Sequence, residues 1–600
     1  MHRECALNGL RKSLADRGLH AMIIPTNDPH FGEYTQPHYK VREWLSGFTG
    51  SAGTLAVTEK SAALWTDSRY FIQAEEQLKG SGIRLMRSGM PYTPFITEWI
   101  KSEYPQGARI AVDGKLFSLE EYGKLESELK PYCSLVAIED PFDKIWSDRP
   151  KLYFNPIKAL SHTDCGESTA DKFRRFKSLL NLEDGERFVY YLSACDDIAW
   201  FCNIRGTDIE YNPLPLSYLL ITNSASHLFA DPDALDDDLS RYLAGQGVEV
   251  HAYSSIESVL ASLSDDMTRV YYAKGISVAH YNILHTSGSK EAEDKSVGGI
   301  VANMKAVKNN WELEGFRRAF LYDGVAWCRV LSRISESLAS GVRLSEYGVK
   351  SLFIRLRSEN EEYAGESFEP IVAFGKNGAL PHYSVSAEND TLIAGGGFLL
   401  MDTGAHYSFG GTTDTTRTIP VGILNDEQKK FYTLVLKGMI NLSAARFPAG
   451  TRGSSLDILA RGFLYNEGVM YYHGTSHGIG HYLCVHEGPQ SIRREENPVT
   501  LKPGMVISNE PAIYFEGEYG IRIENVLAVK FVETGKFGDF YGFETFTLVP
   551  LSTAAIKKEL LSEAEVRWID GYNSTVFKKI SPLLDARERE WLRKETLPIG

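Results

Sequence analysis

A chain of 600 residues exceeds what one hydrophobic core supports, and 43% hydrophobic, 12% aromatic and 24% charged residues exclude a disordered or fibrous protein. The formal charge of −14, with no basic cluster to reverse it locally, argues against nucleic acid and anionic membrane as partners. No apolar run approaches a membrane span, and charges interrupt MHRECALNGLRKSLADRGLHAMIIP before a secretory core forms, so a cytoplasmic location is expected.

The first half of the chain repeats itself. VREWLSGFTG, with Trp44 and Gly50 six apart, resembles DIAWFCNIRG, with Trp200 and Gly206 six apart; TEKSAALWTD and TNSASHLFAD follow in the same order. Each copy has a helical stretch, an apolar strand (AMIIP; FVYYLS), a loop and a further strand pair, which predicts two related α/β domains. Pro141, Pro150 and Pro156 break regular structure between the copies, and the polar EAEDKSVGG precedes a second break. The expected division is 1–150, 151–304 and 305–600. At the start of the last part, Leu313, Phe316, Phe320, Trp327, Leu331 and Ile334 recur at helical steps and predict an amphipathic helix. Beyond about residue 555 the chain alternates charged and apolar residues at helical spacing without a chemical motif, so a solvated capping helix is expected. The seven cysteines, Cys5, Cys133, Cys165, Cys195, Cys202, Cys328 and Cys484, form no C-x-x-C pair and read as reduced thiols.

Four segments of the last part carry the chemistry: GGGFLLMDTGAHYSFGGTTDTTRTIPV, YYHGTSHGIGHYLCVHEGP, MVISNEPAIY and YGIRIENVLAV. In the first, an apolar strand ends at Asp402, Gly410 and Gly411 suit a turn, and a β-branched strand resumes at Asp414, so a hairpin sets two aspartates side by side. Taken alone, Asp402 reads as a turn cap. MVISNE ends a strand at Glu510, and alternation in IRIENVLAV places Arg522 and Glu524 on one face. Four carboxylates beside buried strands need compensating charge, for which Arg417, Arg522 and metal ions are candidates. His473, His477, His481 and His486 cluster within one segment, but H-G-T-S-H lacks the glutamate of the helical H-E-x-x-H zinc site. One histidine with four carboxylates is an oxygen-rich set suited to a pair of hard divalent ions that activate water for hydrolysis. Neither a G-x-S-x-G nucleophile nor a phosphate-cradling loop competes with it.

On these residues the last part resembles the pita-bread metallopeptidases, and the whole chain is similar to their three-domain Xaa-Pro aminopeptidase branch. GFTGSAGT, WSDRP, HGTSHGIG, VHEGP, SNEPAIY, GIRIENV and WLRKETLPI carry the likeness. It implies an α+β chain whose C-terminal pita-bread domain follows two related α/β creatinase-N-terminal-like domains. It also implies a cytosolic homodimer that hydrolyses the bond before a proline in second position. The implied metal ligands are Asp402, Asp414, His477, Glu510 and Glu524, with Asp414 and Glu524 as bridges and Glu510 also as proton shuttle. The implied catalytic and pocket residues are His382, His473 and His486, joined by Tyr514 and Arg522, whereas His481 is structural. The expected cofactor is two divalent ions, manganese first, with zinc or cobalt as alternatives. The segment AHYSFGG departs from the resemblance by one extra residue, which bears on the hairpin turn and not on the ligands. Prolidase shares the ligands but normally has one N-terminal domain, so the duplicated first half argues against it. A pita-bread domain turned binding module would be expected to lose ligands, and here all five are present.

Overall fold

The computed structural model of the chain describes residues 2–104, 106–180, 182, 185–263, 268–273, 275–287, 290–294 and 296–599. The chain divides into two compact units, Met1–Ala159 with Ser168–Val301, and Leu160–Glu167 with Ala302–Gly600.

The first unit holds two six-stranded sheets. One is built from β1 (Ala21–Ile24), β2 (Thr54–Thr58), β3 (Ala62–Thr66), β4 (Arg84–Arg87), β5 (Ala108–Asp113) and β6 (Cys133–Ile138) in the order β4-β3-β2-β1-β5-β6. The other is built from β7 (Arg187–Leu192), β8 (Tyr218–Thr222), β9 (Ser226–Ala230), β10 (Val248–Ala252), β11 (Thr268–Tyr272) and β12 (Lys290–Glu293) in the order β10-β9-β8-β7-β11-β12. In both sheets the first strand runs antiparallel to the second and the second to the third, and every other neighbour is parallel. The repeated sequence therefore marks a repeated topology, since TEKSAALWTD and TNSASHLFAD fall on the corresponding hairpins β2–β3 and β8–β9. The continuous apolar AMII of β1 is buried along its whole length, as expected for a strand covered on both faces.

The second unit opens with α1 (Asn310–Ser340). Asn309 accepts from the Trp311 and Glu312 amides, Glu312 returns the bond, and Gly341 ends the helix with φ 71°. Its apolar stripe buries Phe316, Phe320, Trp327, Leu331 and Ile334, while Leu313 sits at the margin of the core. The strands that follow are β13 (Ile371–Phe374), β14 (Gly397–Thr403), β15 (Ala405–Tyr407), β16 (Gly411–Thr412) and β17 (Thr415–Val421). Then come β18 (Ser476–Gly478), β19 (Glu487–Ile492), β20 (Val506–Asn509), β21 (Ala512–Phe515), β22 (Tyr519–Arg522) and β23 (Asn525–Gly535). β13-β14-β17 form one sheet, β21-β22 a ribbon, and β19-β18-β20-β23 lie adjacent in a six-stranded sheet.

Two expectations are corrected. IRIENVLAV is not one strand: β22 pairs with β21, β23 pairs with β20, and Ile523–Glu524 is the crossover where the backbone changes partners. Nor is the tail a solvated cap. Its helix α2 (Glu563–Ile580) buries Ile569, Tyr572, Val576 and Ile580, and the Tyr572 hydroxyl donates to the Val549 carbonyl at 2.9 Å. The apolar residues that looked like half of a surface helix form the stripe by which it docks. No helix among the described residues is long and apolar enough to cross a membrane.

Candidate metal centre

Asp402 is the penultimate residue of β14, a fully buried strand, and pairs with Thr416 of antiparallel β17. The pleat turns Asp402 and Thr416 to one face and the next pair, Met401 and Arg417, to the other. Arg417 therefore does not neutralise the carboxylates. Its guanidinium donates to the carbonyls of Val549 at 2.8 Å and Pro550 at 3.2 Å, to Asn525 Oδ1 at 2.8 Å and to the Tyr572 hydroxyl at 2.8 Å. Between the aspartates, β15 and β16 pair as a short hairpin, His406 with Thr412 and Tyr407 with Gly411. Gly410 at its tip has φ 98°, and a Cβ there would come within 2.2 Å of His481 Cε1. His481 is 1% exposed and packs against Phe316.

The imidazole that reaches the carboxylates is His477. Its Nδ1–H donates to the Gly478 carbonyl at 2.9 Å, which leaves Nε2 directed at the carboxylates, 3.5 Å from Asp414 Oδ2 and 3.4 Å from Glu510 Oε1. One ligand atom each from Asp414, His477 and Glu524 lies within 4.8 Å of the others. Ser508 ties His477 to Glu510: its Oγ accepts from the His477 amide at 3.0 Å and donates to Glu510 Oε1 at 3.3 Å. Thr416 Oγ1 donates to Glu524 Oε2 at 2.8 Å and lies 3.2 Å from Arg522 Nε.

Arg522 is the buried cation of the site. Its Nη2 pairs with Asp402 Oδ2 at 2.5 Å, and its Nη1 donates at 2.6 Å to the Tyr514 hydroxyl. Tyr514 in turn lies 3.0 Å from His473 Nε2, and His473 Nδ1–H is anchored on the Gly474 carbonyl at 2.7 Å. This gives a chain from Arg522 through Tyr514 to His473, whose Nδ1 is 4.0 Å from Glu510 Oε2. His486 is exposed, with its ring edge-on to His477 at 4.4 Å. His382 is half-buried in the loop after Pro381, whose carbonyl accepts from Arg522 at 3.4 Å.

The local electrostatics show too little positive charge. Burial raises the Asp402 carboxyl despite Arg522, raises Glu510 to about 7 despite His477, and raises Glu524 well above the carboxylate range, with Asp414 and Asp402 adding repulsion. Burial alone would lower His477, but Asp414 and Glu510 lift it to about 9. Asp402 Oδ1 and Glu524 Oε1 are buried without a hydrogen-bond partner among the described residues. Orphaned anionic oxygens around one lone imidazole nitrogen fit divalent cations, which would supply the missing charge.

Thr416, Ser508 and Glu487 were not singled out in the sequence. Thr416 was within reach of it, since the hairpin register makes it the cross-strand partner of Asp402. Glu487, next to His486, is buried against Lys305 and Lys308. Nothing in the local pattern announces that triad, because Glu487 lies 179 residues from Lys308.

Residues 7–145 and 148–312 each match the creatinase/prolidase N-terminal domain, residues 314–530 match metallopeptidase family M24, and residues 539–599 match the C-terminal region of peptidase M24. A probable Xaa-Pro aminopeptidase P from Coprinopsis cinerea is 36% identical over 99% of this chain and 98% of its own length. One from Tuber melanosporum is 37% identical over 98% of each. The chain belongs to the Xaa-Pro aminopeptidase P family of M24 metallopeptidases. Among solved structures, the X-prolyl aminopeptidase of Caenorhabditis elegans, described as a cytosolic enzyme with a di-nuclear active site, superposes with a TM-score of 0.94 at 33% identity and full coverage of both chains. A Xaa-Pro dipeptidase from Bacillus anthracis covers 64% of this chain and 99% of its own, with a TM-score of 0.50 and 23% identity, a likeness of fold alone. Membership of the family extends over all of its characteristic parts, from the duplicated N-terminal domain to the C-terminal region. The doubled sheets of the first unit and the docked tail thus belong to one family architecture.

Proposed function

We propose that this chain is a metal-dependent aminopeptidase that releases the first residue from peptides with proline in second position. The observation that carries the reading is the convergence of Asp402, Asp414, His477, Glu510 and Glu524 on one buried, under-neutralised centre. In it, Asp402, Asp414, His477, Glu510 and Glu524 would hold two divalent ions, with Asp414 and Glu524 as the ligands in common. When bound, such a pair supplies Lewis acidity and makes water nucleophilic near neutral pH. The four carboxylates favour a hard ion, so manganese is assigned, with zinc and cobalt as alternatives.

The remaining work falls to the protein's own groups. Glu510 takes a proton from water at its carboxylate and returns it to the prolyl nitrogen. His486 at the open rim donates a hydrogen bond to the reacting carbonyl oxygen, His473 is held by Tyr514 beside Glu510 at the substrate side of the centre, and Arg522 fixes Asp402 and Tyr514 in place. His382 and Tyr514 line the proline pocket. A bond before proline has no N–H, so a site shaped to the pyrrolidine ring accepts what an amide-binding peptidase does not. The reading includes three domains, 1–150, 151–304 and 305–600, a homodimer, and a cytosolic location, the last supported by the description of the nematode enzyme.

The test is turnover of Xaa-Pro-Yaa tripeptides beside Xaa-Pro dipeptides after loading with manganese. Tripeptide cleavage that disappears in Asp414→Ala and Glu524→Ala is expected. Cleavage of dipeptides alone would replace this reading with prolidase.

A further inference from the structure

Away from that centre, the second sheet of the first unit gathers three more metal-ligating side chains. β10 is its edge strand and runs parallel to β9, with His227 opposite Glu249 and Phe229 opposite His251. Alternation along the strands puts His227, Glu249 and His251 on one face. His227 Nδ1 lies 3.1 Å from His251 Nε2 and 3.3 Å from Glu249 Oε2, and one ligand atom from each residue lies within 4.8 Å of the others. His251 stacks on the buried Phe229 ring at 5.1 Å with 25° between the planes, which fixes the direction of its nitrogens.

Tetrahedral bonds of about 2.0–2.1 Å put neighbouring ligand atoms about 3.3–3.4 Å apart, near both spacings seen here. A proton serves the triad poorly. If Nδ1 of His227 carries a hydrogen, it can satisfy either Glu249 or His251 but not both; if not, its lone pair faces a carboxylate. A cation at the focus satisfies all three.

We propose that His227, Glu249 and His251 form a second, mononuclear site for a borderline divalent ion of the zinc class, completed by solvent, which clips the edge strand β10 to β9. Two imidazoles and one carboxylate suit zinc, in contrast to the carboxylate-rich centre of the second unit. The full-length protein and its His227→Ala, His251→Ala and Glu249→Gln variants are stripped with chelator and dialysed to equilibrium against micromolar free Zn2+. Bound zinc per chain is then counted, with circular dichroism as a check on folding. The wild type is expected to hold one more zinc per chain than either histidine variant, and Glu249→Gln to weaken that ion by more than about tenfold. Equal zinc in the wild type and any folded histidine variant overturns the site. Tripeptide turnover per chain is expected to stay at the wild-type level in all three variants, so the outcome is separable from that of the peptidase reading.

Discussion

Thr416→Val removes one hydroxyl and almost no volume, yet that hydroxyl holds the centre at two points. Its Oγ1 donates to Glu524 Oε2 at 2.8 Å and sits 3.2 Å from Arg522 Nε. A hydrogen bond to a charged group contributes about 1.5–3 kcal/mol, so its loss weakens metal affinity or kcat/KM by about 10- to 100-fold. Glu524 would keep its position in the backbone, because its amide donates to the Thr416 carbonyl at 3.1 Å whatever the side chain. The metal-stripped variant is titrated with Mn2+ and followed both by calorimetry and by tripeptide turnover, beside Thr416→Ser, which restores the hydroxyl. Recovery in the serine variant is expected. If the valine variant stays within about threefold of wild type in both measurements, the hydroxyl does not orient Glu524 and the reasoning fails.

Tyr514→Phe breaks the chain from Arg522 to His473 and should cost about 1 kcal/mol in kcat/KM, roughly fivefold, with manganese content unchanged by metal analysis. Gly410→Ala adds strain at a positive φ and a clash with His481, an expected loss of about 2–4 kcal/mol in denaturant unfolding. In a His481→Ala background, itself close to wild type in turnover, the clash part of that loss should vanish; additive losses would show that the contact carries no energy. His30 is buried between the Ser193 carbonyl at 2.8 Å and the Tyr253 hydroxyl at 2.9 Å, and burial lowers it from 6.5 to about 4. The unfolded chain therefore takes up the extra proton first, and stability falls as pH drops from 6.5 towards 4. His30 accounts for about 2 kcal/mol of loss between pH 7 and pH 5, which comparing the wild type with His30→Gln in urea should reveal. Asp28, raised by burial to about 6, contributes with the opposite sign over 3.8 to 6 and is common to both proteins.

Local chemistry and periodicity already carried much of this protein. The duplication at Trp44 and Trp200 shows in matched segments, and the strands AMII and FVYYL, the helix carrying Leu313 to Ile334 and the hairpin between Asp402 and Asp414 follow from local chemistry and from steps that any reader of the chain can count. The four acids proposed as ligands stood out because strand-end carboxylates need a counter-charge, whereas His477 was singled out among the clustered histidines only by the family resemblance. Only the tertiary structure decided where that charge comes from. Arg417 and Arg522 look alike in sequence, but the pleat turns Arg417 towards carbonyls and the docked Tyr572, and Arg522 towards Asp402. The tail helix shows the same limit, since its stripe tells that it is amphipathic but not what it meets. Contacts between residues more than 100 positions apart, such as Thr416 with Glu524, have no period along the chain and exist only once the strands are paired.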